Sequence, residues 1–159
     1  MKSDADARKI IATNRRARFD YEVLERVEAG IALLGPEVKS LRAGKASLSD
    51  SYAIVRRGEI VLLNLHIPAY GPATRENRDP RRERVLLLHR GEIDRLAGKV
   101  RERGFTLVPL QLYFRQGRAK VELALARGKR SHDRRETIRK READRELART
   151  ARGRGRPRA

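Results

Sequence analysis

The residues best equipped for chemistry lie near the C-terminal end. Ser131-His132-Asp133 strings together a hydroxyl, an imidazole and a carboxylate, and Asp50-Ser51 offers a second hydroxyl–carboxylate pair. Either grouping invites a hydrolytic triad. Adjacent residues rarely reach triad geometry, however, because its members converge through the fold. Asp133 and Glu136 are candidate metal-holding carboxylates for a nuclease, but they sit among arginines whose charge repels a divalent cation. His66, His89 and His132 lie far apart and fall in no metal-ligand spacing. His66 and His89 end apparent strands and read as structural. Gly117 and Gly128 are isolated, so no Gly-rich phosphate loop is present, and there is no cysteine for a disulfide or thiolate site. The expectation is a protein that is not an enzyme and needs no cofactor or metal.

Binding chemistry is far better represented. Residues 127–159 carry 14 Lys/Arg against 5 Asp/Glu, half of the chain's formal charge of +18. Their large aliphatic residues, Ile138 and Leu147, stand nine positions apart and would point to opposite sides of a helix. Such a segment cannot fold by burying itself; it stays solvated or orders on a polyanion. With a pI near 11.3, the partners to consider are RNA, DNA and an anionic membrane. No apolar run approaches a bilayer span, and the basic segments lack an apolar face. Met1 to Asp6 has no secretory core, so a cytoplasmic location is expected.

The elements that must position these groups read as follows. Residues 1–18 form a basic, mobile arm; 19–128 form one compact domain; 129–159 form the tail. Tyr21–Val27 and Gly30–Leu34 read as two strand pieces. Gly35-Pro36 starts a short helix, with Glu37 near its positive dipole end and Gly44 as its stop. Ser51–Val55 and Glu59–Ile67 form a hairpin around Arg56-Arg57-Gly58, and residues 68–82 a long loop. Arg84–His89 is a strand and Glu92–Arg103 a helix ending at Gly104. Thr106–Arg115 and Ala119–Ala126 form a hairpin across Gln116-Gly117. Val121, Leu123 and Leu125 alternate with Lys120, Glu122 and Ala124, so one face is buried and the other wet. Pro109 marks an edge or a bulge. The fold class is mainly β: a small antiparallel barrel or sandwich with short flanking helices and a basic tail.

Several collinear blocks resemble one family. They are Asn14-Arg15-Arg16-Ala17-Arg18-Phe19-Asp20-Tyr21, Glu28-Ala29-Gly30-Ile31, Gly35 to Ala46 (GPEVKSLRAGKA), Asp50-Ser51-Tyr52-Ala53 and Arg84 to His89 (RVLLLH). Leu107 to Leu110, Gly117 to Lys129 and His132-Asp133-Arg134-Arg135 complete the set. Over roughly residues 10–150 the chain resembles the SsrA-binding protein family (small protein B), the bacterial partner of transfer-messenger RNA. The resemblance implies an OB-like barrel without enzymatic activity. Such a protein binds the tRNA-like end of transfer-messenger RNA at its elbow and delivers it to stalled ribosomes. The tail, disordered when free, would become a helix in the empty mRNA channel of the small subunit, beside the decoding site. Elongation factor Tu and the substrate RNA of alanyl-tRNA synthetase are implied functional associates, and a monomer is implied.

Carried over residue by residue, the RNA-binding candidates are Asn14, Arg18, Phe19, Glu28, Leu87, Lys120, Arg127, Lys129 and Arg130. Asn14 would hydrogen-bond a base edge or sugar, or is plain polar loop. Glu28 accepts from a guanine edge or from an Arg, or is a surface strand end. Leu87 stacks on a base or joins the core. Lys120 on the wet face meets a phosphate or stays solvated. The tail candidates for the ribosome are Gly128 as hinge, Asp133 as helix cap with Glu136 at N3, and Arg134 and Arg135 on phosphates. Two positions depart from the family pattern: Phe19 stands where a stacking His is usual, and Arg134 where Lys is usual. The remaining alternatives are a general RNA chaperone and a metal-dependent RNA nuclease.

Overall fold

The computed structural model describes residues 7–71, 79–102, 104–129 and 131–154, with side-chain surroundings in the last segment described for 138–149. The elements follow in chain order as β1 (Lys9–Thr13), α1 (Arg15–Asp20), β2 (Tyr21–Ile31), α2 (Gly35–Arg42), β3 (Tyr52–Arg56) and β4 (Glu59–Leu63). Then come β5 (Arg84–Leu87), α3 (Arg90–Arg101), β6 (Phe105–Arg115), β7 (Arg118–Gly128) and α4 (Ser131–Arg154).

The strands pair antiparallel in the order β1-β6-β3-β4-β5-β2-β7, and β7 pairs again with β6. That closes six strands into the expected barrel and leaves β1 appended to β6. Closure rests on two short seams, Ala53 opposite Leu107 and Gly30–Ile31 opposite Leu86–Leu87. The two tight hairpins have physical causes in their turns. Arg57-Gly58 and Gln116-Gly117 hold φ of 50°, 76°, 52° and 74°. Two successive left-handed residues match the twist of the flanking strands.

Inside the barrel, Val121, Leu123 and Leu125 of β7 meet Ala29 and Ile31 of β2, Ile60 and Leu62 of β4, and Leu107 and Leu112 of β6. The inward half of the β7 alternation is as expected, but its other face is not wet throughout: Ala124 is 0% and Glu122 8% exposed, because the α1 cluster covers the first and Arg8 and Arg26 bond the second. Pro109 sits at a bulge: the register slips between Pro109 and Gln111, and Leu110 is the extra residue. Leu110 joins Ala17, Val108, Ala124 and Ala126 in a second apolar cluster under α1 on the outer face.

Several boundaries differ from the sequence reading. Residues 9–18 are not a free arm from end to end. β1 lies along β6, with Lys9 opposite Phe114 and Thr13 opposite Gln111, because Ile11 and Ala12 pack on the core. Asn14 then caps α1. The two pieces expected between Tyr21 and Leu34 are one strand, β2, with a bulge between Val23 and Glu25, since β7 pairs along nearly all of it. β4 stops at Leu63, where Asn64 takes φ 62°, and His66 instead forms an isolated bridge with Ser47. β5 stops at Leu87, and the His89 N–H donates 3.3 Å to Glu92 at the start of α3.

A buried ion pair fastens α2 to the barrel. Arg84, only 1% exposed, donates to Glu37 Oε2 at 2.7 Å and to the carbonyl of Leu65 at 2.6 Å. Arg82 also bonds Glu37, and the Leu34 N–H donates to Glu37 Oε1 at 2.8 Å. Burial alone would raise the Glu37 pKa, but Arg82, the Leu34 N–H and Arg84 outweigh it and hold the carboxyl below its ordinary range. One bond from α2 and one from this network pin the two ends of the long loop. Ser40 Oγ donates 2.7 Å to Pro68, and Arg84 Nη2 donates 3.1 Å to Pro80. Residues 72–78 of that loop lie outside the described residues.

The chain divides into two compact units, Met1–Gly128 and Lys129–Ala159. The second contains α4, 24 residues and so about 36 Å long. Every residue from 138 to 149 is exposed, Leu147 at 69% and Ile138 at 41%. α4 begins at Ser131, so Asp133 stands in the first turn rather than at the cap assigned to it. An acid there still complements the helix dipole. Among the described residues no helix is long and apolar enough to cross a membrane.

Candidate nucleic-acid interface

One row of the barrel's outer face gathers several of the expected residues. Tyr113 of β6 lies opposite Lys120 of β7, Lys120 opposite Gly30 of β2, and Gly30 opposite Leu87 of β5. Directly opposed residues share a face, so all four positions look outward together. Leu86 is buried at 2%, whereas Leu87 is 57% exposed. Leu87 is thus displayed, not core. It lies across Gly30, where an added Cβ would sit 3.2 Å from Leu87 Cβ. Gly30, Leu87, Phe114, Gly117 and Lys120 line a groove of about 360 Å³. The arrangement offers an apolar surface for a base or ribose beside a cation for a phosphate.

Glu28 lies two residues from Gly30 on the same face. Its Oε2 accepts from the Tyr113 hydroxyl at 2.5 Å and from Arg115 Nη1 at 2.6 Å. Tyr113 is 0% exposed, and Arg8 covers its ring with the guanidinium carbon 4.4 Å from the centroid. Burial, and then the bond to Glu28, push the phenol's pKa well up, so the hydroxyl stays a donor. Arg8 and Arg26 both bond Glu122, which lies opposite Glu28. Glu28 therefore stands inside a network of arginines.

The other candidates gather at the opposite end of β2. Asn14 is 8% exposed. Its Oδ1 accepts from the Ala17 N–H at 3.2 Å, and its Nδ2 donates to the Pro109 carbonyl at 3.0 Å. Both ends of the amide are engaged, so Asn14 positions α1, which carries Arg18 and Phe19. Tyr21 pairs with Gly128 and Glu22 with Arg127, and the Arg127 Nη2 bonds Glu22 at 2.5 Å. The end of α1 and the end of β7 thus adjoin, with Lys129 next in the chain. Eight residues of β2, about 25 Å, separate this end from the groove. Arg130 lies outside the described residues, as do the side chains of Asp133, Arg134 and Arg135, whose backbone is in the first turns of α4.

The Asp50-Ser51 pair is not set up as a nucleophile: Ser51 is buried, with its Oγ donating to the Leu48 carbonyl at 2.5 Å. Among the described residues no three His, Cys, Asp or Glu side chains are placed to hold a metal ion. His132, Asp133 and Glu136 are not covered by that statement, since their side chains lie outside the described set. Sequence reasoning missed Gly30, Tyr113, Arg115 and Arg8. A signal for Tyr113 existed: the two-residue turn Gln116-Gly117 sets Arg115 opposite Arg118 and so Tyr113 opposite Lys120. Nothing local announced that Glu28, 85 residues from Tyr113, would be its acceptor.

Comparison with known proteins agrees with this geometry. Residues 11–153 match the family model described as "SmpB protein". The SsrA-binding protein of Saccharopolyspora erythraea is 59% identical over 149 residues, 94% of each chain. That of Acidothermus cellulolyticus is 59% identical over 142 residues, 89% of each. A solved chain described as "tmRNA-SmpB: a journey to the center of the bacterial ribosome" is 55% identical, with a TM-score of 0.64 over 80% of this chain and 93% of its own. With its family model matched over almost its whole length, this antiparallel barrel with its basic C-terminal helix belongs to the SmpB family.

Proposed function

We propose that the protein is a cytoplasmic, monomeric RNA-binding adaptor of trans-translation, without catalytic activity of its own. Its barrel grips the tRNA-like domain of transfer-messenger RNA and delivers that RNA, with elongation factor Tu, to ribosomes stalled without a stop codon. The alanine-charged end of the RNA then starts the tag. The observation that carries this reading is the groove in which exposed Leu87 lies beside Lys120 on a chain of net charge +18. An apolar platform next to a cation suits a folded RNA element. The names of the relatives, SsrA-binding protein, support that RNA as the partner.

The tail has a separate task in this reading. Gly128 ends the barrel, and α4 enters the empty mRNA channel with Asp133, Arg134 and Arg135 in its leading turns. Free in solution the tail is disordered, because like-charge pairs such as Arg145 with Arg149 oppose the helix and the exposed Leu147 offers it little burial. It orders on ribosomal RNA. Replacing Asp133, Arg134 and Arg135 together with alanine should leave transfer-messenger RNA binding intact and abolish peptide tagging in a reconstituted translation assay. Equal loss of both would show that barrel and tail do not divide the work. A general chaperone would instead bind bulk tRNA as well, and a nuclease would cleave labelled RNA in magnesium.

A further inference from the structure

Glu28 poses a physical puzzle on a surface meant for RNA, because a carboxylate repels phosphate. Its Oε2 is bonded at 2.5 Å by the Tyr113 hydroxyl and at 2.6 Å by Arg115 Nη1. Arg115 ends β6 next to Phe114 and directly opposite Arg118, both of which line the groove, and two residues from Tyr113 on the same outer face. Its side chain is 31% exposed, and the guanidinium carbon lies 5.8 Å from the centroid of the Tyr113 ring. Arg115 Nε is buried and has no hydrogen-bond partner, the only such side-chain atom among the described residues. Buried polar atoms are seldom left unpaired. A buried Nε is beyond the reach of a ligand, but with Nη1 held by Glu28 and the side chain 31% exposed, the outer N–H groups of the guanidinium remain for a partner.

We infer that Arg115 is an RNA-contacting residue, that its guanidinium donates to a phosphate of the RNA lying along the Leu87–Lys120 groove, and that Glu28 serves RNA binding by positioning Arg115. This rests on the reading of the groove as the site for the tRNA-like RNA. It explains how an acid belongs on that face: Glu28 exchanges a repulsive charge for a fixed donor fork, and Tyr113 completes the clamp from below. Arg115, Arg118 and Lys120 then form a short cationic rim around the β6–β7 turn. A planar guanidinium fixed by a carboxylate gives a phosphate oxygen a preset donor pair, which a loose lysine would not.

The test is a two-by-two set of full-length variants, Glu28→Ala, Arg115→Ala and both together, with Arg115→Lys and Glu28→Gln as milder partners should either alanine variant unfold. Affinity for the transcribed tRNA-like domain is measured from low to moderate salt. Arg115→Ala should weaken binding about tenfold and lower the log–log salt slope by about one. Arg115→Lys should restore the slope and only part of the affinity. Glu28→Ala should weaken binding in the wild-type background, although it removes a negative charge, and should cost nothing further beside Arg115→Ala. Wild-type affinity and slope in Arg115→Ala would overturn the inference, as would an equal cost of Glu28→Ala in both backgrounds. If wild type keeps its preference for this RNA over bulk tRNA while the Arg115 arms fail, this inference alone falls. If wild type shows no such preference, the functional reading falls as well.

Discussion

Replacing Gly30 with alanine separates the groove from the fold that carries it. The new Cβ would stand 3.2 Å from Leu87 Cβ and 3.5 Å from its Cδ1. Ordinary carbon contacts lie at about 3.5–4.0 Å, so the methyl group intrudes by roughly half an ångström. Leu87 is 57% exposed and can lean toward solvent. Gly30 has no positive φ, so alanine strains no backbone there, and a strand gains about 0.5–1 kcal/mol when glycine is removed from it. The two effects on stability should nearly cancel, leaving the urea midpoint within what about 1 kcal/mol would shift. The groove, in contrast, loses depth, and its apolar platform moves. Displacing that platform from the RNA by about half an ångström should weaken binding roughly tenfold, equivalent to about 1.4 kcal/mol. Urea unfolding followed by circular dichroism and anisotropy titration at fixed salt read the two quantities separately. Unchanged affinity would refute the placement of RNA over Gly30 and Leu87. A stability loss above about 2 kcal/mol would show instead that the methyl opens the short β2–β5 seam.

Two further outcomes follow from the hydrogen bonds. Asn14→Ala should remove the cap of α1 and the bond to the buried Pro109 carbonyl, for a loss of about 2–3 kcal/mol in unfolding free energy; an unchanged melting curve with weakened RNA binding would mean that Asn14 touches RNA directly. Glu37→Gln should strand Arg84 and cost about 3–5 kcal/mol at neutral pH. The Glu37 pKa is lowered in the folded protein, so its contribution is present above the unfolded value of about 4.3 and fades as pH falls through the lower folded one. The gap in urea midpoint between wild type and variant should therefore narrow below about pH 4; a gap independent of pH would contradict the ionised pair.

How much of this was legible in the sequence depends on the range of each interaction. Turn chemistry acts locally, so Arg57-Gly58 and Gln116-Gly117 marked both hairpins, and Gly35-Pro36 marked the start of α2. The alternation in β7 disclosed which residues face the core, and Pro109 disclosed a bulge. β1 escaped notice because five residues, KIIAT, carry little periodicity, and their partner strand lies about a hundred residues away in the chain. The candidate site divides in the same way. Lys120 was legible as a wet-face residue. The sequence pattern favoured core for Leu87, because three consecutive leucines hide which one faces out until register is known. Glu28 read as a strand end, and its two donors stand 85 and 87 residues away. Arg84 looked like the polar start of a strand, yet Glu37 and three carbonyls make it among the most buried side chains of the barrel.

The central claim is that this barrel recognises one folded RNA and does not merely attract polyanions, as a charge of +18 alone would allow. Competition binding tests it most directly: full-length protein, labelled tRNA-like domain of transfer-messenger RNA, and increasing bulk tRNA at one fixed salt concentration. The account predicts that the labelled RNA stays bound against at least about a hundredfold excess of competitor, since specific readout adds to the shared electrostatic attraction. Displacement in simple proportion to total RNA would contradict it and leave a general basic chaperone.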